Sequence, residues 1–99
     1  MNYRDLEAVR QIVEQATGLE ITYAYDDLVF PDNGVFIIQF DDENKDNLFC
    51  YFQEECKPAD RETIFSKLST ECAKKKCSFI NKGSFTLEQQ GENIQIKFL

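Results

Sequence analysis

The chain has 99 residues, 42% of them hydrophobic and 13% aromatic, with neither Trp nor His and a net charge of −7. That length makes one small domain, residues 1–99, able to hide roughly 65% of the surface its unfolded chain exposes, and the composition excludes a disordered chain. Charge excludes nucleic acid as a partner: residues 1–55 carry 13 acidic and 3 basic side chains and residues 56–99 carry 5 and 8, giving halves of −10 and +3, and the only basic cluster is Lys74-Lys75-Lys76, where helix-end cations belong.

The opening, MNYRDLEAVRQIVEQ, has no apolar leader core, and the longest apolar runs, VFII and LFCYF, are too short to cross a bilayer. A cytoplasmic protein with no membrane contact is expected. Asn2 and Asp5 read as a helix N-terminus and Gly18 as its stop; between them Leu6, Val9, Val13 and Ala16 make one apolar stripe. The period then changes to two. Leu19, Ile21, Tyr23 and Tyr25 alternate with polar or small neighbours, as in a half-buried strand, and Phe30-Pro31-Asp32-Asn33-Gly34 reverses the chain.

VFIIQF is the next strand, and residues 41–47, DDENKDN, form a long acidic hairpin loop into LFCYFQ. Pro58 and Asp60 open a second helix running to about Lys75, with Ile64, Phe65, Leu68 and Cys72 as its buried stripe. CSFIN, SFTLE and IQIKFL, punctuated by Gly83 and by QQGEN, supply the terminal strands. The fold expected is α+β and two-layered, in the order α-β-β-β-α-β-β. It has an antiparallel sheet of about five to six strands and two helices on one face. This order is similar to the layout of class I type III secretion chaperones, a likeness of element order that carries no residue over.

All four cysteines fall between residues 50 and 77 with the spacing Cys-x5-Cys-x15-Cys-x4-Cys. Zinc knuckles place paired thiolates two to four residues apart, so the expectation is free packing thiols and no metal. The absence of His removes the usual base for a Ser or Cys nucleophile. Asp26-Asp27 and Asp41-Asp42 are adjacent pairs whose side chains point apart on a strand. The four glycines each mark a helix stop or turn, which leaves no phosphate-cradling loop. Asp42, Asn44 and Asp46 match the first calcium-loop positions, but Asn47 replaces the loop glycine and Gln53 the bidentate Glu. No catalytic residue, cofactor, metal or small-molecule ligand is expected.

The two middle strands are apolar on both faces, and helices can cover only one. Phe36, Ile38, Phe40, Phe49 and Tyr51 are therefore the candidate interface, for a homodimer or another protein partner, and Asp41, Asp42, Glu43 and Asp46 the candidate acidic partner surface. The function expected is that of a small acidic, non-catalytic protein-interaction module. The alternatives are an acidic immunity or inhibitor protein recognising a basic target, and an enzyme using a thiol or carboxylate such as Cys56, Cys77 or Asp26.

Overall fold

In the computed structural model, which describes residues 1–99 with Asn33 by its backbone only, Asp5 caps the first helix. Its carboxylate accepts from the Ala8 N–H at 3.1 Å, so the cap is Asp5 and not Asn2. α1 (Leu6–Thr17) ends where Gly18 adopts φ 74° and returns its N–H to the Glu14 carbonyl, a left-handed turn that a β-carbon would strain. Val9, Ile12 and Val13 are its buried face, whereas Leu6 is exposed.

β1 (Ile21–Tyr25) reverses at Asp26-Asp27 into β2 (Leu28–Pro31), and a single 3-10 turn, Asp32–Gly34, leads to β3 (Phe36–Phe40). Asp26 takes φ 55°, which a short polar side chain tolerates. This tight reversal adds a strand to the three expected between the helices. β4 (Asn47–Gln53) follows the acidic loop, α2 (Pro58–Lys74) crosses over, and β5 (Ser78–Gln90) and β6 (Asn93–Phe98) close the chain as a hairpin.

The fold is α+β, and strands β1 to β6 lie side by side in chain order in a sheet curled into a half-barrel. Every pair is antiparallel except β4 and β5, which are parallel because α2 carries the chain back to the starting end of β4. No helix among the described residues is long and apolar enough to cross a membrane.

Both helices pack on one sheet face. Phe36 lies opposite Phe52, Ile38 opposite Cys50 and Phe40 opposite Leu48, and these pairs form one buried cluster with Val9, Ile12 and Val13 of α1 and Leu68 and Cys72 of α2. The five residues grouped as an interface therefore do not share a surface. Phe36, Ile38 and Phe40 are core, while Phe49 and Tyr51 point to the other face, because successive residues on a strand point opposite ways.

Two bulges redistribute the remaining apolar residues. Thr22 is an extra residue between the pairs Ile21–Pro31 and Tyr23–Phe30, so Ile21 packs on the core while Tyr23 and Tyr25 turn to the second face. Lys82 is extra between the pairs Cys50–Asn81 and Tyr51–Gly83. Phe79 accordingly meets Phe65 of α2, with ring centroids 5.5 Å apart, while Phe85 lies on the second face beside Gln53.

The ends of α2 are tied down. Arg61 donates to the carbonyls of Cys56 at 2.8 Å and Glu54 at 2.8 Å and to Ser84 Oγ at 3.3 Å, joining the β4–α2 connection to β5. At the other end Lys76, at φ 61°, turns the chain back, Cys77 Cα comes to 5.2 Å from Cys72 Cα, and a disulfide joins them. The expectation of free thiols is thus corrected for Cys72 and Cys77. Cys50 and Cys56 are free.

Candidate interaction surface

The sheet face turned away from the helices is built from alternate residues of every strand. Register places Tyr23 and Tyr25 of β1, Leu28 and Phe30 of β2, and Ile37 and Gln39 of β3 on it, followed by Phe49 and Tyr51 of β4. Ile80, Phe85 and Leu87 of β5 and Ile94, Ile96 and Phe98 of β6 complete it.

Curling fills the middle of this face. Ile37 and Phe85 are each 1% exposed, the Phe98 ring lies 4.4 Å from that of Tyr51, and the Lys82 ammonium sits 4.5 Å from the centre of the Phe49 ring. A polar relay crosses it as well. The Tyr51 hydroxyl donates to Gln39 Oε1 at 2.9 Å, and Gln39 Nε2 donates to Asp27 Oδ2 at 2.8 Å. Desolvation, with the Asp27 carboxylate as a lesser cause, raises the pKa of the Tyr51 hydroxyl, which keeps it a donor.

The two rims stay open. On β1, Tyr23 and Tyr25 stack with their rings nearly parallel, and Tyr25 is 65% exposed. On the other rim Leu87, Ile94 and Phe98 are exposed, Ile94 to 69%. The pairing of β5 with β4 ends at Phe85, so the far part of the β5–β6 hairpin projects as a two-stranded arm. At its base a groove of about 660 Å³ runs between the arm and the start of α2, lined by Val35, Cys56, Lys57, Asp60, Ile64 and Leu87.

The acidic loop is largely spoken for within the chain. Arg4 makes a two-point contact with Asp42, at 2.9 and 2.7 Å, and also holds Asp26 at 2.9 Å. Asp46 accepts from the Met1 amine at 2.7 Å. Asp41 accepts from the backbone N–H groups of Glu43 and Asn44 and so shapes the loop. Of Asp41, Asp42, Glu43 and Asp46, only the Glu43 side chain takes none of these roles. The Arg4 guanidinium holds the Asp42 carboxyl below its ordinary range.

No family model, curated protein or solved structure matches this chain.

The four cysteines do not gather. Cys50 faces the core from β4, with its thiol pKa pushed far up by burial, Cys56 lines the groove, and no metal-ligating cluster is present among the described residues. The open rims were missed in the sequence because alternation in the terminal hairpin looks the same whether its apolar side faces the helices or turns away. The one local signal was Asn81-Lys82-Gly83, turn-like residues inside a strand.

Proposed function

We propose that this chain is a small non-catalytic protein-interaction module whose contact surface is the second sheet face, between the β1 rim and the β5–β6 arm. The observation that carries this reading is the exposure of Tyr23, Tyr25, Leu87, Ile94 and Phe98 on the face opposite the helices. A soluble monomer rarely leaves so many large apolar side chains in water on one side. Leu87 also lines the groove, so the surface continues from the arm toward α2.

The non-catalytic part of the reading is supported by the thiols: one is raised by burial, two are joined as a disulfide, and no His is present to activate the fourth. Homodimerisation is one use of the surface and capture of another protein a second.

The test is the double variant Tyr25→Ser/Leu87→Ser, which alters both rims without touching the core. It is expected to keep the wild-type thermal midpoint and to bind less of an apolar fluorescent dye. A wild-type protein that binds no dye, or a variant that binds as much dye as the wild type, would overturn the reading.

A further inference from the structure

Resting on that reading, we propose that one partner of this surface is a second copy of the chain, joined by antiparallel pairing of β6 with β6. β6 is an edge of the sheet. The Leu99 N–H donates to the Ser84 carbonyl at 2.9 Å, and the regular antiparallel register then assigns Gln95 and Lys97, two and four residues earlier, to bonding with β5 as well. The backbone N–H and C=O groups of Ile94, Ile96 and Phe98 therefore point to the open side.

Edge strands are normally blunted by proline, bulges or several charges. β6 pairs with β5 without a register shift, contains no proline and has Lys97 as its only charge. The opposite edge differs. β1 is interrupted by the Thr22 bulge and bracketed by Glu20, Asp26 and Asp27, so antiparallel self-pairing about Tyr23 would set Glu20 against Asp26 of the other copy.

β6 is self-complementary in one register. A two-fold axis at Ile96 sets Ile96 opposite the partner's Ile96, Ile94 opposite the partner's Phe98 and Lys97 opposite the partner's Gln95. Every apolar residue of β6 then meets an apolar one, no like charges are directly opposed, and all the outward backbone groups of β6 are satisfied. An axis at Lys97 would oppose two lysines, and one at Gln95 would leave Phe98 against Glu92.

Charge favours the same edge. β6 belongs to the +3 half and β1 to the −10 half, so contact through β6 keeps the acidic halves at the distant edges of a joined sheet. One added strand of six residues is about 20 Å long and falls short of the ~800 Å² per partner of a standard interface. The dimer is accordingly weak, and with −7 on each copy it strengthens as salt screens the repulsion.

The test combines light scattering over a wide concentration range at two salt levels with amide hydrogen exchange. The mass is expected to rise toward twice that of the chain with concentration and with salt. Exchange at the Ile94, Ile96 and Phe98 amides should slow with it while that at Gln95 and Lys97 stays unchanged. Ile94→Pro removes only an outward N–H and an exposed side chain, so this variant is expected to remain folded and monomeric. Ile96→Lys and Ile96→Glu should each be monomeric and should dimerise when mixed, which also shows that both are folded. A dimer that survives Ile94→Pro, or that weakens in salt, overturns edge pairing while leaving the interaction module intact. A wild-type monomer at every concentration overturns it as well, and the module reading is then judged by the dye measurement on the two rims.

Discussion

Phe36 and Phe49 belong to adjacent strands of similar composition, yet one is core and the other lies on the second face under the Lys82 ammonium. Phe36→Ala is expected to cost about 3–5 kcal/mol of stability, because it empties a fully buried site between sheet and helices. Phe49→Ala should cost on the order of 1–2 kcal/mol, from partial burial and a lost cation–π contact. Thermal unfolding of the two variants compares them, and equal losses would contradict the assignment of faces. On α1, the Arg10 guanidinium hydrogen-bonds the Glu7 carboxylate and lowers its pKa from 4.5 to about 2. A carboxyl lowered by folding contributes stability above its unfolded pKa and loses it as pH falls through the folded value. The contribution of Glu7 should therefore disappear between about pH 4.5 and pH 2. An NMR titration is expected to place Glu7 near 2 and to return it toward the ordinary range in Arg10→Gln.

At the scale of elements, the bulge in β5 does most to shape the candidate surface. Gly83 has φ 138°, a conformation that residues with a β-carbon rarely adopt, while a β-carbon there would meet only the Leu99 carbonyl at 3.5 Å. The cost of Gly83→Ala is thus conformational and should be about 1–3 kcal/mol in chemical denaturation. A neutral substitution would mean that the chain passes this point in an ordinary strand conformation, with Phe85 on the wrong face. The end of α2 is set by a cross-link closing a very short loop, which in the chain-entropy picture contributes about 2 kcal/mol. Thiol titration of the unfolded, unreduced protein should find the two free cysteines, Cys50 and Cys56, and reduction should expose Cys72 and Cys77 as well. Four reactive thiols before reduction would contradict the pairing.

Across the whole molecule one buried cluster draws on both helices and the central strands, so neither layer has a core of its own. Unfolding by denaturant is expected to be a single transition, with tyrosine fluorescence and far-ultraviolet circular dichroism giving coincident curves. Separate midpoints would show that the β5–β6 hairpin melts apart from the rest. The charge asymmetry also acts at this scale, since the −10 half forms α1 to β4 and the +3 half forms α2 and the terminal hairpin. Within the acidic half, Arg4 is shared between Asp42 and Asp26, and this draws the loop onto the N-terminal segment.

The sequence by itself determined the class of fold, both helices and the apolar character of the middle strands, because these follow from local periodicity, caps and proline placement. α2 begins at Pro58 and α1 stops at Gly18, as the residues require. The reversal at Asp26-Asp27 was not legible, since an acidic pair reads equally well as the polar end of one strand. Which apolar residues face the helices was decided only in the tertiary structure. The single-residue bulges at Thr22 and Lys82 exchange the faces of everything that follows them on the strand, and a periodicity of two carries no record of where the count is broken. The same holds for the disulfide, because the approach of Cys77 to Cys72 depends on the left-handed turn at Lys76, and for the open rims, because only the curl of the sheet fixes which apolar residues of the second face are covered.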